Sequence, residues 1–457
     1  MNFTSSSFRH KYHQTFPYWI TMCGRDWYPK DMNGVAKMED FREPIGIMKN
    51  DCEQSLDRIK KLDTITLGIP KIVFMVGWQK GGHDAQYPAW GPIERRIKRP
   101  EDATALDSFV WLFHEAKKYN TTVSVHINMI DAHPFSPLWD LYYKYDIIAK
   151  NKDGSLRPYV WGYPISYTRE WNLGFAQRRI DMLCELLPVQ EAGILKIDAF
   201  HSFIPLLEDQ SCISPYLGIS AEEEAETQKK IISYFRTKGI DVAAEFNTEF
   251  RVDSLIGLQP MTTYFKDIDF MRIPASMYCG GDGGDPRVGF NLDRHIFYKL
   301  IEEPDMDGLA GEMVKSTFIW HYLNRLDRLS VDDKGAVLFE GGVKSWIENL
   351  QPVSTAGGKY KPPQPSGDYY IKKGDDFIRD KGDVFVPALW REKTIAAHSD
   401  LGYKKRKWAL PEDWPESGIA KINKISTGGV TQIGETDIVS RSVILSLDPG
   451  QTVSITI

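Results

Sequence analysis

The fold of this chain is constrained most by a pattern that recurs along its first half. Short apolar runs end in polar residues, and each run is followed by an amphipathic stretch. This alternation is typical of parallel strands that are buried on both faces and connected by helices. It predicts an α/β fold, a (β/α)8 barrel of the TIM type. The predicted strands are PYWITMCG (17–24), KIVFMVGW (71–78), TTVSVHIN (121–128), GILKIDAF (193–200), DVAAEF (241–246) and DFMRIPAS (269–276).

Amphipathic segments between these strands predict the helices of the barrel. In SAEEEAETQKKIISYFRTKG, Ser220 is placed as the N-cap and Gly239 as the C-terminal stop. Two further helix candidates are DATALDSFVWLFHEAKKY and FAQRRIDMLCELL.

From about Gly367 the apolar runs become shorter and alternate with turn residues, as in antiparallel β-structure. A chain of 457 residues is also longer than a single hydrophobic core usually supports. We therefore expect a catalytic barrel over residues 1–350 and a smaller β-sandwich-like domain over 367–457. The Gly-, Pro- and Ser-rich segment QPVSTAGGKYKPPQPSGD is predicted to connect them.

The composition narrows the classes of partner. A formal net charge of −6 supplies no basic surface for a nucleic acid. No apolar run is long enough to span a membrane, and the first residues contain no apolar signal core. We expect no nucleic-acid or membrane partner, and a cytoplasmic location if Met1 is the native start.

Two carboxylates close predicted strands and are the best candidates for catalysis. Asp198 closes GILKID and Glu245 closes DVAAE, 47 residues later, so the two are expected on adjacent strands. Neighbouring strands lie about 4.7–4.9 Å apart, and retaining glycosidases hold two carboxyl groups roughly 5–5.5 Å apart. The spacing favours a nucleophile and a general acid/base, although ordinary carboxylates in salt bridges would look the same.

Three further segments are candidates for substrate contact. The glycine-rich loop GWQKGGHD carries His83 and Asp84, and its alternative is a purely structural turn. His126 and Asn128 close VHIN, where a histidine that is satisfied by hydrogen bonds is the more common case.

The third segment, WGYPISYTREWN, contains few aliphatic residues that would bury its rings. It carries Trp161, Tyr163, Tyr167 and Trp171, and we expect exposed rings that stack on a sugar, the alternative being packing on the barrel rim.

A metal or a cofactor is not expected from the motifs. No H-x-H or H-E-x-x-H occurs, and His83, His126 and His201 lie on separate segments without ligand spacing. G-x-S-x-G and Walker-type loops are absent as well.

The succession GWQKGGHD, VHINMIDAHP, NKDGSLRPYVWGY, ILKIDAFHS and GIDVAAEFNTEF resembles, in order, the barrel of the endo-α-N-acetylgalactosaminidases of glycoside hydrolase family 101 and the related family 129. The resemblance extends from about residue 60 through WALPEDWPESGIAKINKI to the end. It implies Asp198 as nucleophile, Glu245 as acid/base, and Asp84 and Trp161 as sugar contacts. Tyr163 and Asn172 depart from a Trp and an Asp of the family pattern.

The sequence thus predicts a retaining glycoside hydrolase that cleaves α-linked N-acetylgalactosamine or galactose glycosides. The β-sandwich that precedes the barrel in multidomain members is not in this sequence, which makes an exo-acting α-N-acetylgalactosaminidase or α-galactosidase an alternative. A non-catalytic glycan-binding protein and a metal-dependent barrel hydrolase are the alternatives from other classes.

Overall fold

The computed structural model describes residues 15–25, 43–158, 162–198, 200, 213–244, 287, 308–348 and 367–457. The chain divides into two compact units, which we name by their main sheets. The parallel-sheet unit comprises Tyr18–Asp57 and Ile72–Gln259, and the antiparallel-sheet unit comprises Met1–Pro17, Arg58–Lys71 and Pro260–Ile457.

One five-stranded sheet organises the parallel-sheet unit. The strands described up to residue 244 are β1 (Phe16–Thr21), β2 (Cys23–Gly24), β3 (Ile47–Met48), β4 (Lys71–Val76), β5 (Thr121–Asn128), β6 (Asp131–Ala132), β7 (Tyr163–Pro164), β8 (Ile194–Asp198) and β9 (Asp241–Ala244). The order in the sheet is β1-β4-β5-β8-β9, and the pairs β5/β8 and β8/β9 are parallel. Strands β2 with β3, and β6 with β7, form two small antiparallel ladders.

The apolar runs explain why these segments are strands. All six residues of β4 are buried, and every residue of β5 except one is buried. Strands that are covered on both faces read as continuous apolar runs, as parallel strands do. Five of the six predicted strands are confirmed, and the sixth (269–276) lies outside the described residues.

Helices connect these strands, and the predicted helices are confirmed. They are α1 (Cys52–Ile65), α2 (Ala105–Glu115), α3 (Trp139–Lys144), α4 (Tyr167–Asn172), α5 (Phe175–Leu186), α6 (Val189–Ala192) and α7 (Ala221–Thr237). The N-terminus of α7 is a capping box, in which Ser220 and Glu223 each accept a hydrogen bond from the other's backbone N–H. Gly239 ends this segment with a φ of +77°.

Where the structure describes it, the antiparallel-sheet unit contains one helical segment and two sheets. Its helices are α8 (Leu309–Met313) and α9 (Ile319–Leu323), joined by a π-helical turn at Val314–Phe318. Its strands are β10 (Arg328–Val331), β11 (Val337–Phe339), β12 (Val343–Ile347), β13 (Tyr369–Lys373), β14 (Asp376–Asp380), β15 (Asp383–Pro387), β16 (Thr394–Ser399), β17 (Tyr403–Ala409), β18 (Ser417–Ser426), β19 (Gly429–Val439), β20 (Ser442–Leu447) and β21 (Thr452–Thr456).

Ten of these strands form one sheet in the order β10-β11-β12-β13-β14-β15-β16-β21-β18-β19, and β17 pairs with β20. Both sheets contribute to one core, in which the rings of Phe385 and Trp408 stack 5.0 Å apart. The antiparallel strands predicted after Gly367 are confirmed. This sheet already begins at Arg328, within residues 1–350 that were predicted to form the barrel. The predicted domain limits themselves stay a prediction.

No helix in the part of the chain that the structure describes is long and apolar enough to cross a membrane.

Candidate active site

The carboxyl ends of β5 and β8 bring His126 and Asp198 together. The two strands are parallel, with Asn128 opposite Asp198 and His126 opposite Lys196. His126 Nε2 lies 3.5 Å from Asp198 Oδ1. Only 4% of the His126 side chain and 16% of the Asp198 side chain are exposed, so the carboxylate is the part of the pair that a ligand can reach.

The loop that follows β4 adds His83 to this pair. His83 Nε2 lies 3.8 Å from Asp198 Oδ2, and the rings of His83 and His126 are 5.1 Å apart. Within the described residues, His83, His126 and Asp198 form a group whose ligand atoms all lie within 4.8 Å of one another. We call these three residues the His–Asp cluster. The prediction that the histidines lack ligand spacing is therefore wrong for His83 and His126, because parallel strands bring distant segments to one edge, and His201 lies outside the described residues.

Glycines allow this loop to approach strand β2. A Cβ on Gly77, whose φ is +68°, would lie 1.8 Å from Cys23 O, and one on Gly82 would lie 2.7 Å from Gly24 O. The His83 N–H donates to Cys23 O at 3.0 Å. At these two positions the glycines thus make room for the backbone of a neighbouring strand.

Two indoles tie the same region to the end of β5. Trp78 Nε1 donates to His126 O, and Trp90 Nε1 donates to Asn128 O, both at 3.1 Å. Trp78 is fully buried and Trp90 is 6% exposed. Because large buried rings have few alternative positions, these bonds hold the His83 loop against the strand that carries His126.

Asp84 offers an unused oxygen beside the cluster. Its φ is +53°, a left-handed conformation that Asp adopts more readily than most residues. Oδ2 forms an ion pair with Arg25 and lies 3.3 Å from His83 Nε2. The other oxygen, Oδ1, is buried and has no hydrogen-bond partner among the described residues. It can accept a hydrogen bond from a ligand hydroxyl group.

Burial dominates the electrostatics around the cluster. Desolvation and the neighbouring His126 lower the pKa of His83 well below 6.5, against an opposing effect of Asp198. Desolvation, with Asp198 and Asp131 nearby, raises the pKa of Tyr87. Burial, followed by the charge of Arg25, lowers the pKa of His133 to about 3. A neutral His83 beside Asp198 is therefore the ordinary state near neutral pH.

Asn128 is buried, and its side chain forms hydrogen bonds within the turn that follows β5. Its Oδ1 accepts from Ile130 N at 2.6 Å and from Asp131 N at 3.0 Å, and its Nδ2 donates to Asp131 Oδ2 at 2.7 Å. These bonds fix the chain that leaves β5. In the structure Asn128 therefore positions the backbone after β5. Its predicted contact with the substrate stays a prediction.

The aromatic segment that follows residue 161 is packed rather than open. Tyr163 is 4% exposed and Tyr167 is fully buried. Tyr163 pairs with Ala132 between β7 and β6, and its ring meets Trp139 edge-on at 5.2 Å. The expectation of exposed stacking rings is wrong for these two tyrosines, because the loop folds back and packs. A substrate contact of Tyr163 stays a prediction.

Two predicted site residues, Glu245 and Trp161, lie outside the described residues. Glu245 is the residue after β9, and β9 is the parallel neighbour of β8.

Sequence reasoning missed three residues of the site. Arg25 follows β2 and pairs with Asp84. Tyr87 is 1% exposed, with its phenol close enough to Asp198 to respond to that charge. Lys196 is buried on the same face of β8 as Asp198, with its ammonium 4.7 Å from the centre of the Trp19 ring. Alternation along β8, and the position of Arg25 directly after a strand, were signals that could have identified two of them.

Solved structures of the α-N-acetylgalactosaminidase NagBb from Bifidobacterium bifidum share this fold. Its complex with Gal-NHAc-DNJ matches with a TM-score of 0.51 and 13% identity, over 79% of this chain and 59% of NagBb. The ligand-free structure matches with a TM-score of 0.51 and 11% identity, over 78% of this chain and 58% of NagBb. This chain thus spans less than two thirds of the length of NagBb.

The sequence profile of glycoside hydrolase family 101, described as endo-α-N-acetylgalactosaminidase, matches residues 28–257, half of the chain. That range contains the His–Asp cluster, Asp84 and Glu245. The chain belongs to glycoside hydrolase family 101.

Proposed function

We propose that this chain is a retaining glycosidase that cleaves α-linked N-acetylgalactosamine or galactose glycosides, with Asp198 as nucleophile and Glu245 as general acid/base. The observation that carries the proposal is the register of β8 and β9, in which Ile197 pairs with Ala244. Asp198 and Glu245 are the next residue on each chain. If the parallel register continues by one residue, the two carboxylates face each other at about the 4.7–4.9 Å spacing of adjacent strands.

That spacing suits a double-displacement reaction. The Asp198 carboxylate attacks the anomeric carbon while Glu245 protonates the leaving oxygen, so the glycosidic bond breaks as a glycosyl ester forms on Asp198. Glu245, now a carboxylate, takes a proton from water, which attacks the same carbon and releases Asp198. Two inversions give net retention of the α configuration. No cofactor takes part in these steps.

The residues around the cluster would orient the sugar. The unused Asp84 Oδ1 would accept from a hydroxyl group of the α-linked sugar, and the Nε2 atoms of His83 and His126 flank the attacking carboxylate. We propose Trp161 as a further contact on the aromatic segment. The names of the family and of NagBb point to N-acetylgalactosamine as the sugar.

The finer architecture belongs to the same proposal. Strands β1, β4, β5, β8 and β9 follow one another in chain order across the sheet, as in one wall of a barrel. We propose that later segments complete an eight-stranded (β/α)8 barrel. Backbone hydrogen exchange of the full chain would report whether 269–276 is a protected strand.

Asp198→Asn and Glu245→Gln test the catalytic pair. With an aryl α-N-acetylgalactosaminide, we expect kcat/KM to fall at least ~10³-fold in Asp198→Asn, because no other group forms the ester. Asp140→Asn, at an exposed position on α3, is the matched control and should keep wild-type activity. Wild-type turnover by Asp198→Asn would remove the nucleophile assignment.

Azide separates the two roles by the configuration of its product. In Glu245→Ala, azide attacks the glycosyl ester and should give the α-glycosyl azide with net retention. In Asp198→Ala, azide replaces the missing nucleophile and should give the β-glycosyl azide by one inversion. Proton NMR of the first product distinguishes these results, and the reverse pattern would exchange the two assignments.

Aryl glycosides with a mono- or disaccharide donor on the same leaving group address the remaining alternatives. Release from a monosaccharide donor alone favours exo cleavage, and release from the disaccharide donor favours endo cleavage. Sugar binding without release of any aryl group would favour the non-catalytic glycan-binding alternative.

A further inference from the structure

The His–Asp cluster has the composition of a transition-metal site. Two imidazole nitrogens and one carboxylate lie on three segments, namely the loop after β4, strand β5 and the end of β8. Imidazole with carboxylate suits zinc-class divalent ions, whereas Mg²⁺ and Ca²⁺ prefer sets of oxygen ligands.

The separations between the donor atoms fit one ion. Zn²⁺ binds His nitrogen and carboxylate oxygen at about 2.0–2.2 Å, so two ligands of a tetrahedral ion lie roughly 3.4 Å apart. The observed separations are 3.5 Å from His126 Nε2 to Asp198 Oδ1 and 3.8 Å from His83 Nε2 to Asp198 Oδ2. These two separations involve different oxygens of the carboxylate, and the three ligand atoms all lie within 4.8 Å of one another, so side-chain rotation would bring the donors to bonding distance of one ion.

An ion can also reach the cluster. The side chains of His83 and Asp198 are 26% and 16% exposed, so two of the three ligands contact solvent. His126 lies beneath them at 4% exposure. Three protein ligands leave the fourth tetrahedral position open to water, as in zinc sites with an exchangeable ligand.

We propose that the His–Asp cluster is a binding site for a divalent transition-metal ion such as Zn²⁺, held by His83 Nε2, His126 Nε2 and the Asp198 carboxylate, and that the bound ion inhibits glycoside cleavage. Inhibition rests on the proposed function, because an Asp198 carboxylate that is bound to metal cannot attack an anomeric carbon. Binding itself does not depend on that function.

Binding requires a rearrangement at one histidine. His83 Nε2 lies 3.3 Å from Asp84 Oδ2, a distance at which an Nε2–H would face that carboxylate. In the metal complex the ring proton lies on Nδ1 and Nε2 gives its lone pair to the ion. Asp84 keeps its ion pair with Arg25, so loss of the His83 contact leaves its charge compensated.

Isothermal titration of the full chain with ZnCl₂ at pH 7.5 tests the site. We expect one ion per chain, with the affinity at least ~10-fold weaker in His83→Gln and in His126→Gln. The matched control is His114→Gln, which changes an exposed histidine that pairs with Glu191 and should bind Zn²⁺ like wild type. Equal affinity in wild type, His83→Gln and His126→Gln would overturn the site.

Two further measurements keep the test decisive. His126 is buried and its variant could unfold, so thermal melting accompanies each titration and the more exposed His83→Gln carries the conclusion if His126→Gln fails to fold.

In turnover of an aryl α-N-acetylgalactosaminide, Zn²⁺ should compete with substrate, and EDTA should restore the rate. Zn²⁺ bound at the cluster with an unchanged rate would refute inhibition and the nucleophile assignment, while leaving the metal site supported. Activation by Zn²⁺ would overturn inhibition in favour of a metal-dependent hydrolase.

Discussion

Glu224 of α7 is a buried acid whose ionisation should make the stability of the parallel-sheet unit depend on pH. Its side chain is fully buried, with Oε1 accepting from the Ser166 hydroxyl and Oε2 accepting from Thr168 N at 2.8 Å. Burial raises the pKa of Glu224 from 4.5 to about 7, although these hydrogen bonds oppose the shift. The folded chain therefore holds a proton that the unfolded chain releases.

The difference in the pKa of Glu224 between the folded and unfolded chains sets the direction and the size of this pH dependence. Between pH 4.5 and 7, Glu224 is protonated more in the folded chain than in the unfolded chain. Its contribution to the free energy of unfolding is therefore greatest below pH 4.5 and is lost as pH rises through 7. At 1.36 kcal/mol for each pKa unit, the full loss is about 3 kcal/mol. Glu224→Gln removes the titration, and its amide can donate to Ser166 while its oxygen still accepts from Thr168 N.

We expect the free energy of unfolding of Glu224→Gln, minus that of wild type, to rise with pH by about 2 to 3 kcal/mol between pH 5 and pH 8. Urea unfolding followed by tryptophan fluorescence at four pH values in this range measures the difference. Comparing the two proteins at each pH cancels the contribution of buried histidines such as His133, whose lowered pKa gives the opposite slope.

The control is Glu226→Gln on the same helix. Glu226 is 63% exposed and pairs with Lys229 at 2.9 Å, so its replacement should change stability by less than about 1 kcal/mol at every pH. Parallel pH profiles for wild type and Glu224→Gln would refute the reasoning, because they would mean that Glu224 titrates alike in the folded and unfolded chains.

Four other substitutions probe the scaffold, each by urea unfolding at pH 7. Gly77→Ala should cost at least ~4 kcal/mol, because its Cβ would lie 1.8 Å from a carbonyl oxygen, whereas Gly174→Ala, with a φ of +78° and open space, should cost only about 1–2 kcal/mol; equal losses would contradict the clash. Ser220→Ala removes half of a capping box and should cost about 1 kcal/mol, so an unchanged midpoint would count against the cap. Glu170→Gln breaks a buried ion pair with Arg179 at 2.7 Å and should cost about 3–5 kcal/mol; a neutral effect would show that the pair is not needed.

The regular elements were predictable from the sequence because their signals are local. Continuous apolar runs gave β4, β5 and β8 to within two residues. Ser220 and Gly239 act at the ends of α7 as predicted, because a cap needs only backbone groups within one turn. The conformation of residues 162–167 was not predictable in this way, since burial of Tyr163 depends on β6 and α3, which are distant in sequence.

The site was predictable to the extent that it lies at strand ends. Asp84, His126 and Asp198 are far apart in the sequence, yet parallel strands bring their carboxyl ends to one edge. The same geometry invalidates an argument from ligand spacing, because His83 and His126 meet across strands β4 and β5 rather than along one helix. Spacing rules for metal motifs describe single elements, and they do not apply across the sheet of a parallel fold.

A polar residue at the end of a strand is, however, not sufficient for a site, as Asn128 and Asp198 show. The two face each other in register at the ends of β5 and β8. Asn128 is followed by a turn whose N–H groups satisfy its oxygen within three residues, and the residue is 3% exposed. Asp198 instead faces two imidazoles from other segments and keeps 16% of its side chain exposed. Among the described residues it is therefore Asp198, rather than Asn128, that keeps an exposed carboxylate at the strand end.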